Sequence, residues 1–304
     1  MTNDDLAKIM ETNDEWIRSR TGIGARRIVT TGGTSQMAAQ AAKRALEQAG
    51  VKPEEIDLIL LGTSSQDNLF PNGACEVQAI IGAVNAACYD ISAACTGFVF
   101  ALNTAHAFIS TGMYKTALII GADTLSKLMD WTDRGTCVLF GDGAGAAVVR
   151  ADHKGILGIN MKSDGRKGNV LTCISRTNGN FLLDRQPELG FTSMDGQEVF
   201  KFAVKKVPEC IKELLADTGI PAEDVRYFVI HQANLRIIES IAKRLKVDIA
   251  KFPVNMERYG NTSSGSVPLL LDEMNRTGML NRGDKIMLSG FGAGLTWGAT
   301  LLEW

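Results

Sequence analysis

Three residues that together suit acyl chemistry stand at comparable places along this chain. Cys95 lies in "YDISAACTGFVFAL", where strand-forming residues give way to small ones and then to an apolar helix. A thiol at a helix N-terminus meets unpaired N–H groups and the positive end of the helix dipole, both of which favour the thiolate, so Cys95 is a nucleophile candidate. The ordinary fate of a cysteine is to be buried and inert, which suits Cys88, Cys137 and Cys210. His231 follows the apolar run Val225 to Ile230 and stands at its tip, whereas His106 lies in an apolar helix and His153 in a polar stretch, as structural or solvated residues do. Asn261, in "YGNTSSGSVPLLLDEM", opens a glycine-containing turn before an amphipathic helix, where it is either a plain N-cap or a functional donor. A Cys, a His and an Asn on converging strand tips suit acyl transfer through a thioester.

Two glycine-rich runs, "GDGAGAA" and "GFGAGLTWG", need a separate account. Neither is a G-x-G-x-x-G leading into a helix and neither carries the lysine of a P-loop, so neither reads as a nucleotide-phosphate cradle. Strand-like residues follow both. The second, after Phe291, is placed to offer backbone N–H groups to a reacting oxygen, as an oxyanion hole requires.

The elements that would position these tips alternate along the chain. Helices are predicted over Thr34 to Gln48, stopped by Gly50, and Thr96 to Ser110. Strands are predicted over Ile56 to Leu61, Ala87 to Ile91, Thr116 to Ile120 and Gly143 to Val149. A mostly parallel, buried sheet follows, with ligands gathering beyond the carboxyl ends of its strands. The second half resembles the first. "LEQAGVKPEEIDLILLGTSS" is matched by "LADTGIPAEDVRYFVIHQAN", and "FGDGAGAAVV" by "FGAGLTWGATLL", each pair roughly 150–170 residues apart, the sign of an internal duplication. The join falls near "RADHKG", dividing the chain into halves of residues 1–152 and 153–304.

Composition narrows the function classes. The 304 residues carry 32 Lys+Arg against 34 Asp+Glu, a net charge of -2, with 7% aromatics, which is not the basic, stacking surface of a nucleic-acid binder. The N-terminal stretch has no secretion signal, no 18-residue apolar run offers a membrane span, and the six cysteines show no CxxC spacing for a metal or a disulfide framework. A cytoplasmic, reduced protein is expected.

The set "DISAACTGF", "DRGT", "FGDGAGAA", "MDGQEVFKFAV", "HQANLRII", "GNTSSGSVP" and "FGAGLTWG" resembles the β-ketoacyl-[acyl-carrier-protein] synthase III family over nearly the whole chain. The resemblance implies an α/β thiolase-like fold of two duplicated halves, with mixed, mostly parallel sheets in an α-β-α-β-α layering. It implies that Cys95 takes an acyl group from acyl-CoA, and that malonyl-acyl-carrier protein then loses CO2 and condenses with the thioester. His231 and Asn261 would hold the enolate oxygen, and the backbone N–H groups of Cys95 and Ala293 the tetrahedral one. No metal or other cofactor is implied. Trp16, Arg20, Arg134, Met194, Gly196, Phe200, Asn234 and Arg236 match the family's CoA and pantetheine contacts. Phe70 and Gly292 match its acyl pocket, Phe70 reaching across a homodimer interface. Lys201, Arg236, Lys243 and Arg244 would form a basic entrance for the carrier protein. Asn261 points to initiation, since elongating relatives have a second His there.

Two rival readings stand beside this one: a relative that loads starters in polyketide metabolism, and a silent scaffold subunit, against which the intact Cys95, His231 and Asn261 speak. Family members begin with an earlier strand, expected in the middle of the first half's sheet, before the segment matched by "TNDDLAKIMETNDEWI". An N-terminally shortened or mis-started chain is therefore expected, with unpartnered backbone groups on both neighbours of the gap.

Overall fold

The computed structural model describes residues 1–304. In chain order its helices are α1 (Asn3–Leu6), α2 (Asp14–Thr21), α3 (Thr34–Ala49), α4 (Gly73–Ile81), α5 (Gly97–Ser110), α6 (Gly196–Thr218), α7 (Leu235–Leu245), α8 (Met256–Tyr259) and α9 (Ser266–Arg276). Its strands are β1 (Leu58–Gly62), β2 (Ala87–Ile91), β3 (Thr116–Asp123), β4 (Gly143–Arg150), β5 (Ile156–Ser163), β6 (Leu171–Cys173), β7 (Thr192–Met194), β8 (Val225–Ile230), β9 (Lys285–Gly292) and β10 (Thr296–Glu303). No helix is long and apolar enough to cross a membrane.

Two four-stranded sheets form the frame, ordered β2-β1-β3-β4 and β5-β10-β9-β8. β1 and β3 are buried at every position, as continuous apolar strands covered on both faces must be. Helices α3 and α4 cover the outer face of the first sheet and α6 covers that of the second, with α7 packed on α6. Between the sheets lie α5 and α9, which touch both. Phe98, Ala101, Leu102 and Ala105 of α5 share one apolar cluster with Leu58 and Leu60 of the first sheet and Val229, Ile286 and Leu288 of the second. Each such fully buried Leu or Ile contributes about 1.5–3 kcal/mol. The result is the expected α-β-α-β-α layering.

The duplication is visible in strand direction. β1 and β3 are parallel and β4 runs antiparallel to β3; in the second sheet β8 and β9 are parallel and β10 runs antiparallel to β9. The first sheet is mostly parallel, as expected. The second is mostly antiparallel, because the tight turn from β9 to β10 returns the chain on itself and β5 pairs with β10 in the same sense.

One expectation is overturned. No gap opens in the middle of the first sheet, where β1 pairs with both β2 and β3 in full register. The strand-free position is the outer edge of β4, opposite which the second sheet carries β5 on β10. An open edge leaves one row of backbone groups to water, a far smaller cost than an interior gap.

Candidate active site

β2 ends at Ile91, and the chain enters α5 through a 3-10 turn, Ala94–Thr96. Ala94 has φ +46°, a left-handed conformation that costs a non-glycine residue roughly 1–3 kcal/mol and marks a site held by its surroundings. The turn sits hard against the tip of β1, since a methyl group on Gly97 would stand 3.0 Å from the Gly62 Cα. Cys95 is thus pinned with only 9% of its surface exposed. Burial pushes its thiol up to about 12; a hydrogen bond with the Ser263 side chain works against that shift, and the charge of Asp123 adds to it. The resting group is therefore the thiol. The helix terminus alone favours a thiolate, but desolvation outweighs it here.

The end of β9 closes on this turn from the other half. A methyl on Gly292 would lie 2.9 Å from the Cys95 amide nitrogen and 3.1 Å from its Cβ. Only glycine permits that approach. The N–H groups of Cys95 and of Ala293, the residue after Gly292, donate to no carbonyl. The Thr96 and Thr296 hydroxyls, 2.9 Å apart, tie the two turns together, and Thr296 Oγ1 also donates to the Ala293 carbonyl at 3.0 Å.

His231 follows β8 directly; its N–H donates to Ser289 of β9, and its ring meets Phe291 edge to face at 5.0 Å. Nδ1 lies 2.7 Å from Ser266 Oγ, while Nε2 is buried without a partner. Ser266 Oγ also accepts the Gln232 N–H; with its own proton donated to Nδ1, the ring proton stands on Nε2. Burial lowers the ring's pKa to about 3, so it stays neutral.

That neutrality has a stability consequence. An unfolded histidine binds its proton near pH 6.5 while the folded ring refuses it down to about 3, so this contribution is complete above pH 6.5 and is lost as pH falls. At pH 5 the loss should be about 2 kcal/mol. Urea denaturation at pH 7 and pH 5 should show His231→Gln losing less stability than the wild type by roughly that amount. Equal losses would mean the folded ring carries a charge.

Asn261 is held by its backbone, its N–H donating to the Leu139 carbonyl and its own carbonyl accepting from Gly141 N–H, both at 2.9 Å. Its side-chain Oδ1 accepts the Ser263 N–H at 2.9 Å, so it caps the following turn as a plain N-cap would. Its Nδ2 makes no hydrogen bond within the chain and remains a donor. The Ser263–Gly265 turn packs against the Ala94–Thr96 turn that carries Cys95. Phe291 and Gly292 thus join the surroundings of His231 and Cys95, and the turn that Asn261 holds packs on the turn that carries Cys95.

The outlying residues separate into groups. Trp16 of α2 is flanked by two guanidiniums, Arg20 at 4.7 Å and Arg134 at 5.0 Å from the ring centre, a cation-lined aromatic face that could take a planar base. Asn234 and Arg236 lie beside this group with their side chains committed: Asn234 caps α7 and donates to the Arg20 carbonyl, and Arg236 donates to the Ser19 carbonyl at 2.6 Å. Met194 ends β7, Gly196 starts α6, and Phe200 packs partly buried on the core. Arg236, Lys243 and Arg244 share one face of α7, whereas Lys201 on α6 is paired with Glu198. Phe70 is 87% exposed with Leu69 beside it, so within one chain it lines no pocket.

Sequence reasoning missed Ser266, Ser263, Phe291 and Asp123. The run "NTSSGS" offered a signal, since four hydroxyls in a glycine turn are costly to bury without partners.

Comparison with known proteins gives the family of this chain. Residues 89–165 match the family model "3-Oxoacyl-[acyl-carrier-protein (ACP)] synthase III", and residues 215–304 match its C-terminal counterpart. The Clostridium acetobutylicum β-ketoacyl-[acyl-carrier-protein] synthase III is 53% identical over 309 residues, covering 100% of this chain and 94% of that protein. The crystal structure of 3-oxoacyl-[acyl-carrier-protein] synthase III from Aquifex aeolicus superposes with a TM-score of 0.93 at 44% identity, over 100% of this chain and 95% of that one. The priming β-ketosynthase of the R1128 polyketide pathway gives 0.92 at 37% identity, over 100% and 91%.

Proposed function

Because the chain belongs to the β-ketoacyl-[acyl-carrier-protein] synthase III family, we propose that it carries out that family's decarboxylative condensation on Cys95, His231 and Asn261. It is an acyltransferase-type condensing enzyme of fatty acid synthesis. Its substrates on this reading are a short-chain acyl-CoA and malonyl-acyl-carrier protein, and it acts in the cytoplasm as a homodimer without a further cofactor. The halves 1–152 and 153–304 each supply part of one site.

In the first half-reaction the Cys95 sulfur attacks the acyl-CoA carbonyl. The tetrahedral oxygen settles between the N–H groups of Cys95 and Ala293, and the CoA sulfur leaves with the thiol's proton. In the second, the malonyl carboxylate departs as CO2 and its electron pair forms an enolate, whose oxygen is held by His231 Nε2–H and Asn261 Nδ2–H. The enolate carbon attacks the Cys95 thioester, the C–S bond breaks, and the sulfur regains a proton. Neutral donors suit this step, since the developing charge is met by fixed dipoles in a dry site. The observation that carries the reading is the buried Nε2 of His231, which no group in the free protein uses and which is a donor when Ser266 donates to Nδ1. On the same reading, Trp16 with Arg20 and Arg134 takes the adenine of CoA, and Met194, Gly196, Phe200 and the α7 end near Asn234 and Arg236 border the pantetheine path. Gly292 borders the acyl group. Exposed Phe70 serves the pocket of a second copy, and Lys201, Arg236, Lys243 and Arg244 meet the carrier protein.

Incubation with acetyl-, isobutyryl- and longer acyl-CoAs, followed by intact-mass and peptide mapping, tests this. One acyl adduct on Cys95 is expected, discharged by malonyl-acyl-carrier protein; no adduct with any of them would overturn the reading. The likeness to the R1128 priming synthase keeps starter loading as a second reading, and product yield with fatty acid and polyketide carrier proteins in parallel decides between them.

A further inference from the structure

Asp123, at the end of β3, is wholly buried, forms no ion pair and accepts five hydrogen bonds. Its Oδ1 takes Thr63 Oγ1 at 3.1 Å, Ser64 N–H at 2.8 Å and Ser65 Oγ at 2.7 Å, all from the turn after β1. Its Oδ2 takes Ser264 N–H at 3.2 Å and Ser264 Oγ at 2.9 Å. Ser264 Oγ also reaches the Gly62 carbonyl at 2.7 Å. One carboxylate thus clamps the strand tips of the first half to the Ser263–Gly265 turn of the second. Within that turn Ser263 is forced to φ +51°, its N–H held by Asn261 Oδ1, and the turn packs against the Ala94–Thr96 turn of Cys95. Joining two turns needs no charge, and an unpaired buried carboxylate is costly to keep. Its placement one residue from a strained site residue is what the reaction can use.

We propose that Asp123 is a positioning residue for the condensation step: through Ser264 it holds the Ser263 turn and so fixes the Asn261 amide as an enolate donor beside Cys95. The proposal rests on the reading of Asn261 as that donor. Acylation draws on the backbone N–H groups of Cys95 and Ala293, which the clamp does not touch, so the two half-reactions should respond differently.

The test measures both steps in single turnover, Cys95 acylation by an acyl-CoA that the wild type accepts and CO2 release from malonyl-acyl-carrier protein. Ser264→Ala removes the hydroxyl arm of the clamp and leaves Asp123 its other donors. It should acylate within about threefold of the wild type while decarboxylation falls roughly 10- to 100-fold, the scale expected of a misplaced group. Asp123→Asn should lose decarboxylation likewise, with acylation kept. The split between the two half-reactions is the readout that a merely structural role would leave unmoved. Folded Ser264→Ala that decarboxylates normally, or that loses both steps equally, overturns the proposal, and it decides the matter if Asp123→Asn does not fold. Asn261→Ala run alongside separates the levels. If it decarboxylates normally, the donor reading falls and this proposal with it; if it fails while Ser264→Ala does not, only the Asp123 role falls.

Discussion

Cys95→Ala is expected to form no acyl adduct with any acyl-CoA and to lose overall condensation by at least about 10⁴-fold, the scale seen when a covalent nucleophile is removed. The substitution deletes one buried sulfur and leaves the Gly292 contact, the Ala293 N–H and the His231 and Asn261 donors in place. Slow CO2 release from malonyl-acyl-carrier protein should therefore persist in this variant, because the enolate donors do not depend on the thiol. Mass spectrometry of the protein and a coupled CO2 assay read the two outcomes separately. An adduct on another residue, such as the exposed Cys173, would place the acyl group elsewhere and remove the basis of the mechanism.

The complementary result is expected of Asn261→Ala. Acylation of Cys95 should continue near the wild-type rate, while decarboxylation and condensation fall by roughly 10²–10³, the usual consequence of losing one preorganised donor. Asn261 Oδ1 also holds the Ser263 N–H, so Asn261→Asp is an informative companion: it keeps that acceptor but replaces the donor by a carboxylate facing the enolate. It should fold as well as the wild type and condense no better than the alanine variant. Equal loss of acylation and condensation in Asn261→Ala would mean that the residue supports the nucleophile rather than the enolate.

Much of this arrangement could be read before any coordinates. Ala87–Ile91 and Val225–Ile230 were predicted to the residue, since each is an extended run closed by small or polar residues at both ends. The repeat of β1 in β8 placed His231 at a tip equivalent to that of β1. What stayed illegible depends on distance in sequence. Ser266 orients a ring 35 residues away, and Asp123 bonds Ser264 across 141 residues; no local pattern encodes either pairing. The burial that opposes a thiolate at Cys95 was invisible for a related reason. A helix N-terminus is visible in a sequence, whereas the desolvation that opposes it comes from β9 and the Ser263 turn folding over the thiol. The expected gap in the first sheet was misplaced because strand order depends on crossovers that hydrophobic runs do not record.

The order of strands in the second sheet bears on how the protein is made. β10 lies between β5 and β9, so β5 has no strand neighbour until residues 296–303 have emerged from the ribosome. At about 5–20 residues per second that wait is roughly 7–30 s, during which the first sheet can form but the Gly292 wall of the nucleophile cannot. A nascent chain therefore carries Cys95 before the Gly292–Ala293 turn is in place against it. The surroundings of the nucleophile are complete only once synthesis has passed β10.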